Sequence, residues 1–438
     1  MEMRTVLIIG ALAIGLAGCS SSRPEGAICQ GNCALPEGPI TLFETPENQE
    51  YSKKSGSQFG QMADEDFGEQ LRALMRHKAD LVPKGVPERA LADLPRTEEG
   101  RLNILALSAG GPFGAFGAGF LNGWSSQTSP DLTRPEAFDM VTGVSTGALL
   151  ATHAFLGREG DAVLREQYTT ISTADVLRER SLFSALFSNA LFDTAPLRRT
   201  LEALITPKLL DEVAEATDFS DPEKPGRLLL VLAVNLDSGL PQILDLGAIA
   251  RAKNDPRRME RYIDALMASA AIPVAFPPVF IDGSMHADGG TRLMLFFNRY
   301  IDEQRASIKE SVVLAPRLDI IINSELTLDQ SCTENSLIGI GKRSFRIVLD
   351  QISLDSLYRA IVEVERIGGD VRYVTAEGSG CTPPTDPADM FQTEFLQCLF
   401  DHGERVGSGQ TPWTRGTDDF PGIELSVRKS GSPSCPAS

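Results

Sequence analysis

The pattern of apolar positions changes along the chain and predicts where the folded body begins. Residues 20 to about 60 are rich in Ser, Pro, Gly and Glu and carry few periodic apolar positions, which is typical of a flexible tether. From Asp64 to Asp80, apolar residues recur at helical spacing, namely Phe67, Leu71, Leu74 and Met75. We therefore expect an amphipathic helix at the start of the folded body.

Beyond residue 101, short apolar runs typical of buried strands alternate with helical patterns. The predicted strands are Leu102–Leu107, Ala137–Thr142, Leu228–Asn235, Gln242–Leu246 and Asp319–Asn323. The predicted helices are Ala115–Trp124, Ala148–Leu156, Pro196–Ile205, Met259–Ala270 and Phe345–Ile367. Alternation of this kind favours an α/β fold with a mostly parallel sheet.

Composition excludes some classes of protein. The chain is 42% hydrophobic and 23% charged, which is ordinary for a globular protein and argues against a disordered or fibrous one. Its 59 acidic and 41 basic residues give a net charge of −18, and a nucleic-acid partner is not expected because phosphate contacts need clustered Lys and Arg. No internal stretch reaches the roughly 18 apolar residues of a membrane span.

The N-terminus has the pattern of a bacterial lipoprotein signal. Arg4 precedes a short apolar region at Val6–Leu16, and Leu16-Ala17-Gly18-Cys19 resembles the lipobox, in which cleavage occurs before a lipid-bearing Cys. An ordinary signal peptide with an incidental Cys is the alternative interpretation. We expect lipid on Cys19 and a location at the bacterial cell envelope, and Ser20 favours the outer membrane, facing the periplasm.

The cysteine count suits that compartment. Assigning one of the seven cysteines to lipid leaves six, and an even number in an oxidising compartment favours disulfides over a metal site. We expect Cys332 to pair with Cys381, Cys398 with Cys435, and Cys29 with Cys33 if these two pair at all. No close cluster of Cys and His suits zinc, so we expect no metal and no cofactor.

A G-x-S-x-G motif, Gly143-Val144-Ser145-Thr146-Gly147, lies between a predicted strand and a predicted helix. Such an elbow exposes a serine hydroxyl at the positive end of a helix and needs a glycine on either side, here Gly143 and Gly147, to avoid clashes. The motif alone is weak evidence, because a glycine-lined turn with a helix-capping serine has the same pattern.

Two further loops carry candidate chemistry. In Ser108–Gly114, the backbone N–H groups of Gly110 and Gly111 are suited to stabilise an oxyanion, and the loop lacks both the G-x-G-x-x-G and the G-K-[ST] patterns of nucleotide-binding loops. The second loop, Asp288-Gly289-Gly290, is by itself only a turn signal.

As an ordered set, these three motifs resemble the patatin-like phospholipase family, and segments 192–197 and 268–278 resemble it too. The resemblance implies a three-layer α/β sandwich with a mostly parallel central sheet. It also implies a Ser145–Asp288 catalytic dyad, in which the Asp carboxylate accepts the Ser proton without a His between them. Gly110 and Gly111 match the positions that the family uses for its oxyanion hole.

Together, the N-terminal pattern, the composition and this resemblance predict the organisation of the whole chain. We expect a signal peptide at 1–18, a tether at 19–63, an acyl hydrolase domain at 64–405 with its core at 101–325, and a surface tail at 406–438. The implied function is lipid acyl hydrolysis, with a membrane phospholipid or lysophospholipid as substrate. The alternative is a catalytically inactive lipoprotein that binds lipid or scaffolds an envelope complex. The oligomeric state is not predicted.

Two departures from the family motif motivate that alternative. Ala109 replaces the first Gly of the loop, and Phe113 replaces a basic residue. The missing charge puts a headgroup contact from this loop in question. The four histidines, His77, His153, His286 and His402, are expected to be structural or surface residues and not catalytic bases. An apolar patch at 182–192 predicts core packing, with a lid or acyl-chain wall as the alternative.

Overall fold

A computed structural model describes residues 64–81, 100–181, 188–221, 223–297, 316–329, 332–384, 386–416 and 427–428. The predictions for the signal peptide, Cys19, the tether, the Cys29–Cys33 pair, Cys435 and most of the 182–192 patch lie outside the described residues.

The strands of the described chain are mostly assembled into one mixed sheet. In chain order they are β1 (Asn103–Leu107), β2 (Met140–Val144), β3 (Arg178–Glu179), β4 (Phe192–Asp193), β5 (Leu228–Asn235), β6 (Pro241–Asp245), β7 (Val279–Ile281), β8 (Ser284–Asp288), β9 (Arg317–Ile322), β10 (Leu328–Asp329), β11 (Asp370–Thr375), β12 (Thr414–Arg415) and β13 (Val427–Arg428). Nine of them form the sheet in the order β12-β11-β9-β1-β2-β5-β8-β7, with β6 also paired to β5. The neighbours β11, β9, β1, β2 and β5 are parallel, which confirms the mostly parallel sheet.

The helices surround this sheet. They are α1 (Asp64–Asp80), α2 (Gly114–Ser125), α3 (Thr146–Leu156), α4 (Asp161–Thr170), α5 (Thr173–Val176), α6 (Ala195–Leu204), α7 (Pro207–Ala216), α8 (Leu246–Arg251), α9 (Arg258–Ser269), α10 (Leu337–Arg366) and α11 (Thr393–Gly407). Among the helices of the described residues, none combines the length and apolarity that crossing a bilayer requires.

Alternate side chains of each strand enter two separate cores, which explains the layered architecture. On β1, Leu105 and Leu107 join a core formed with α2, α3, α9 and α11, whereas Ile104 and Ala106 join a core formed with α1 and α10. Helices therefore cover both faces of the sheet. The strands are buried on both sides, which is why they appear in the sequence as continuous apolar runs.

Most element predictions are confirmed, and two boundaries differ by three residues or more, for identifiable reasons. Strand β2 begins at Met140 and not at Ala137. Immediately before it, the Asp139 carboxylate accepts the Asn103 N–H at 2.8 Å, so a side chain takes the place of a strand carbonyl as the acceptor. Helix α10 begins at Leu337, before the predicted start at Phe345. Ser336 caps it by accepting the Gly339 N–H at 3.0 Å, and the glycines that follow had obscured the helical pattern.

The predicted disulfide connectivity is wrong where the structure describes it. Cys381 pairs with Cys398, so neither the Cys332–Cys381 nor the Cys398–Cys435 bond forms. Cys332 is disulfide-bonded as well. The loop after β11 returns onto α11 within 17 residues and leaves the Cα atoms of the pair 5.9 Å apart, a proximity that spacing along the chain does not reveal.

The edge of the sheet extends beyond residue 405, the predicted end of the domain. Strand β12 pairs with β11, and the neighbouring Trp413 packs edge-on against Trp124 and Phe120 at 4.8 Å between ring centroids. The guanidinium of Arg372 lies over Trp413 and is paired with buried Asp319, so the strand is fixed to the sheet by packing and by charge.

Helices α2 and α11 approach each other closely through glycines. A Cβ added to Gly119 would overlap the carbonyl oxygen of Phe400, and one added to Gly403 would overlap that of Phe116. The side-chain-free faces let the two backbones touch, which places α11 directly behind the helix that follows the glycine-rich loop.

We expect Gly119→Ala to lower the free energy of unfolding by about 3 kcal/mol, because the backbones must separate to admit the methyl group. The control is Gly341→Ala on α10, where a Cβ meets nothing within 4 Å and which should raise stability by about 0.5–1 kcal/mol. Denaturant midpoints measure both. Equal effects from the two substitutions would contradict the close helix crossing.

Candidate active site

The register of the parallel strands brings the glycine-rich loop and the elbow together. Leu107 at the end of β1 pairs with Gly143 near the end of β2, so the two following loops leave the sheet at the same edge. A Cβ on Gly147 would overlap the Leu107 carbonyl oxygen, and one on Gly143 would lie 2.5 Å from the Gly147 carbonyl oxygen. Both elbow glycines are therefore required by close backbone approach.

Ser145 occupies a strained elbow between β2 and α3. Its backbone has φ 55° and ψ −122°, a conformation that non-glycine residues rarely adopt. The Ser145 N–H donates to the Ser269 hydroxyl at 3.0 Å, and that hydroxyl donates to the Leu232 carbonyl at 2.6 Å. This chain of bonds ties the elbow to α9 and β5, and only 4% of Ser145 is exposed.

The topology of the sheet explains how a residue 143 positions further on reaches Ser145. Strands β6 and β8 both pair with Ala233, so they lie on opposite edges of β5. Residues 230–232 of β5 pair with β6 on one side and with β2 on the other. Because β8 lies opposite β6, it shares the edge of β5 that β2 occupies. On that edge Val144 pairs with Leu232 and Asp288 with Ala233, so β2 and β8 run towards each other and their last residues meet end to end.

Asp288 is buried at this meeting point, close to the Ser145 side chain. Its Oδ1 accepts the Gly290 N–H at 2.7 Å, and its own N–H donates to the Ala271 carbonyl at 2.8 Å. Burial raises the pKa of the Asp288 carboxyl from 3.8 to about 6, against the opposing effects of the Ser145 side chain and the Gly290 N–H. The carboxylate is thus mostly ionised at pH 7 and a much better proton acceptor than an ordinary Asp.

Gly110 and Gly111 each have a specific reason to be glycine. A Cβ on Gly110 would overlap the carbonyl oxygen of Asn323, whereas Gly111 has φ +55° with open space around it. Within the described part of the chain, the backbone N–H groups of these two residues have no recorded protein acceptor. Two unpaired amides in a half-buried loop beside the elbow are suited to receive a developing negative charge.

Asn323 holds the glycine-rich loop in place from the end of β9. Its backbone N–H donates to the Ser108 hydroxyl and its side-chain amide to the Ser108 carbonyl, both at 2.8 Å. The Ser108 hydroxyl in turn donates to the Ala109 carbonyl at 2.7 Å. All three contacts are buried, so the loop that carries Gly110 is fixed before any ligand arrives.

The two departures from the family motif are accommodated by packing. Ala109 is buried, donates its N–H to the Met294 carbonyl at 2.9 Å and lies next to Gly290. The ring of Phe113 packs edge-on against Phe395 of α11, with 5.7 Å between the ring centroids. Position 113 therefore belongs to the core contact with α11 and contributes no charge to the site.

The histidines make contacts elsewhere in the described structure. His286 contacts the Ser284 carbonyl at 3.0 Å and the side chain of Gln242, and burial lowers its pKa. Burial lowers the pKa of His153 to about 4 and also lowers that of His402. None of the hydrogen bonds recorded for the described residues joins these rings to Ser145 or Asp288.

The structure thus brings together Ser145, Asp288, Gly110, Gly111, Gly143 and Gly147 at one edge of the sheet. Sequence reasoning missed Ser269 and Asn323. Ser269 was visible only as part of the similar segment 268–278, and Asn323 only as the end of a predicted strand. Their roles depend on contacts across 124 and 215 positions of the chain, which no local pattern encodes.

We expect Ser269→Ala to lower the rate of ester hydrolysis about tenfold and stability by about 1–3 kcal/mol, because it leaves the buried Ser145 N–H without an acceptor. Ser353→Ala, at a buried serine on α10, is the matched control. Initial rates with a soluble ester and thermal unfolding report the two effects. Unchanged turnover in the Ser269 variant would show that the elbow needs no support from α9.

Comparison with known proteins agrees with this geometry. A family model described as patatin-like phospholipase matches residues 105–298, which run from within β1 through the elbow to beyond Asp288. The chain is also similar to the cGAMP-activated phospholipase of Pseudomonas aeruginosa (strain BWHPSA011 / Pa011), with 30% identity over 193 residues. That match covers 43% of this chain and 52% of the relative, about half of its length. Residues 105–298 therefore match a patatin-like phospholipase domain.

Proposed function

We propose that this protein hydrolyses fatty-acyl ester bonds of membrane lipids at the bacterial cell envelope. The observation that carries the proposal is the position of Ser145, on a strained elbow, where the ends of β2 and β8 bring it to the buried carboxyl of Asp288. The unpaired amides of the adjacent glycine-rich loop supply the third component that acyl transfer needs. The family match over the same residues supports the assignment to lipid hydrolysis.

In the first half of the reaction, the Ser145 hydroxyl attacks the acyl carbonyl carbon while Asp288 accepts its proton. The carbonyl oxygen becomes an oxyanion and accepts hydrogen bonds from the N–H groups of Gly110 and Gly111. The positive end of α3, which begins at Thr146, favours the same negative charge. Collapse of the intermediate breaks the ester bond, and Asp288 returns the proton to the leaving alcohol.

In the second half, water attacks the acyl group on Ser145 and Asp288 accepts a proton from it. The same two amides stabilise the second oxyanion. Cleavage of the acyl–serine bond releases the fatty acid, and the proton on Asp288 returns to the serine oxygen. Because one carboxylate serves both steps, its raised pKa bears on acylation and on deacylation alike.

The substrate class follows from the family and from the N-terminal motif. The relative in Pseudomonas aeruginosa is named a phospholipase, and we propose a phospholipid or lysophospholipid as the substrate here. Because the side chain at position 113 is a phenylalanine packed on α11, we assign no headgroup recognition to it. A lipid anchor at Cys19 would hold the enzyme at the surface that contains its substrate.

Hydrolysis of p-nitrophenyl esters of several chain lengths by the full chain, beside the Ser145→Ala variant, tests the proposed activity. We expect turnover by the native chain and a loss of several orders of magnitude in the variant. Lipid binding without turnover by the native chain would instead support the inactive scaffolding lipoprotein. Phospholipids and lysophospholipids with different headgroups then separate the substrate classes.

We expect mass spectrometry of the mature protein to find lipid on Cys19 and the protein to partition into membranes. Cys19→Ser removes the acceptor sulfur, so the variant should persist as a precursor with an unchanged N-terminus. Efficient release of the variant as a mature soluble protein would rule out lipidation at this position.

A further inference from the structure

Helix α10 is far longer than the strands that it connects. It links β9 to the parallel strand β11, so it runs antiparallel to both and its N-terminal end lies at the edge where the strands end. Its residues from Leu354 to Val364 pack on the sheet in the second core. At 1.5 Å per residue, the segment Leu337–Asp350 extends about 20 Å past that packed part, on the edge that holds Ser145.

Just beyond the projecting segment, α10 contacts the active-site region. The Ser356 hydroxyl of α10 accepts the Met294 N–H at 3.2 Å. Met294 in turn neighbours Gly290, whose N–H is bonded to Asp288. The overhang ends at Asp350, six residues or about 9 Å along the helix from this contact with the loop that follows the proposed base.

The overhang exposes a set of large apolar side chains, with Leu337 90% exposed and Phe345 49% exposed. The set comprises Leu337, Ile340, Phe345, Ile347 and Val348. At about 100° per residue they fall within an arc of roughly 160° on one side of the helix. A continuous apolar surface of this kind marks an interaction site, since soluble proteins rarely leave one open to water.

The opposite arc of the same segment is cationic. Lys342, Arg343 and Arg346 lie there, and Asp350 is the single acidic residue in Leu337–Asp350. The chain as a whole carries a net charge of −18, so this local excess of positive charge runs against its composition. An apolar face opposed by Lys and Arg is the arrangement of helices that lie in the interface of anionic bilayers.

Other exposed apolar side chains lie at the same edge of the sheet. Leu236 follows the end of β5, and Val274 comes three residues after Ala271, whose carbonyl accepts the Asp288 N–H. Val274 is 73% exposed and has φ +70°, a strained conformation for a β-branched residue. The strained backbone thus leaves a large apolar side chain exposed near the site.

We propose that the projecting half of α10, Leu337–Asp350, inserts its apolar face into an anionic lipid bilayer and holds the Ser145 site at the bilayer surface. The inference rests on the proposed function, since it states that the enzyme encounters its lipid substrate in a bilayer. A second copy of the chain fits less well, because pairing through the apolar arc would give the cationic arc no part in the contact. The tether also fits less well, because it has few periodic apolar positions to cover the arc.

A single indole placed on the overhang reports insertion locally, whatever the N-terminus does. In the full chain, Phe345→Trp is mixed with phosphatidylcholine–phosphatidylglycerol vesicles that contain acyl-brominated lipid. We expect a blue shift and strong quenching of the added fluorescence. The matched control is Met259→Trp, at a residue 39% exposed and about 15 Å along α9 from Ser269, away from the site, where no added quenching is expected.

The charge requirement is tested separately. Arg346→Gln should weaken vesicle binding about fivefold, since each cation near an anionic surface contributes about that factor. Arg359→Gln removes an exposed cation from the packed half of α10 and should leave binding unchanged. Binding to vesicles of phosphatidylcholine alone, or at raised salt, should also be weaker.

Three results would overturn the docking surface. The first is equal quenching at positions 345 and 259. The second is a blue shift at 345 that appears without vesicles and depends on protein concentration. The third is a blue shift at 345 that appears without vesicles and disappears when the tether is deleted. The second would show pairing of two copies, and the third would show coverage by the tether. Hydrolysis of a soluble short-chain ester by the native chain, measured without vesicles, tests Ser145 alone, so failure of docking and failure of the proposed activity are distinguishable.

Discussion

Replacing Asp288 with Asn should abolish most acyl hydrolysis and make the protein more stable at pH 8. The substitution keeps the shape of the side chain and an oxygen that accepts the Gly290 N–H, but it removes the proton acceptor for Ser145. Loss of a positioned general base costs roughly 10²–10⁴-fold in rate. Initial rates with a soluble ester measure this loss.

The gain in stability follows from the sign of the pKa shift. Burial raises the pKa of Asp288 from 3.8 to about 6, so the folded state binds its proton more tightly than the unfolded chain does. This contribution to stability is fully present below pH 3.8 and is lost as the pH rises through 6. At pH 8 the native protein bears the cost of an ionised buried carboxylate, about 2–3 kcal/mol at 1.36 kcal/mol per pKa unit.

The Asn variant lacks that cost, so its advantage in free energy of unfolding should be largest at pH 8 and vanish near pH 3.5. Denaturant unfolding across this range measures it. In the native enzyme, the rate at low substrate should fall as the pH drops below about 6, because protonated Asp288 cannot accept the Ser145 proton. A rate unchanged down to pH 4 would contradict the role of this carboxyl.

The two dyad residues should behave as one unit. Ser145→Ala should lose as much activity as Asp288→Asn, and the double variant should lose little more, because neither residue functions without the other. His286 provides the opposing test, since it lies two positions from Asp288 and is bonded to Gln242 and Ser284. A folded His286→Gln variant without turnover, beside an active Asp288→Asn variant, would assign the base to the histidine.

The site was predictable from sequence where a residue type has a local backbone reason. Gly143 and Gly147 are required by the tight strand-to-helix turn, and the motif that contains them is recognisable without coordinates. Strand β5 was predicted at its observed bounds because burial on both faces makes it a continuous apolar run. The ordered motifs then indicated the family and, through it, the three layers.

What the sequence could not reveal depends on contacts between distant segments. The meeting of β2 and β8 on one edge of β5 places Asp288 beside Ser145, and neither strand's own pattern specifies that edge. The Ser269 bond to the elbow and the Cys381–Cys398 bond are of the same kind. The exposed start of α10 was hidden for a different reason, because its glycines weaken the helical pattern on which the prediction relied.

Gly110→Ala should reduce the rate of ester hydrolysis by roughly 10²–10³-fold, the usual cost of losing one oxyanion donor. The added methyl group would overlap the Asn323 carbonyl oxygen, so the loop must move and its N–H groups must turn away from the elbow. Because Asn323 also holds Ser108, the same displacement should lower stability by about 3 kcal/mol.

Gly111→Ala is the matched control, because it adds the same methyl group to the neighbouring glycine. Its cost comes from backbone strain and not from a clash. Its φ of +55° makes a Cβ unfavourable by about 1–2 kcal/mol, yet nothing lies within 4 Å of that Cβ. The loop can therefore keep its path, and kcat should fall less than tenfold although stability drops measurably. Steady-state kinetics beside thermal unfolding separate the two substitutions. If both lowered kcat equally at equal stability, close approach to β9 would not be what orients the oxyanion amides.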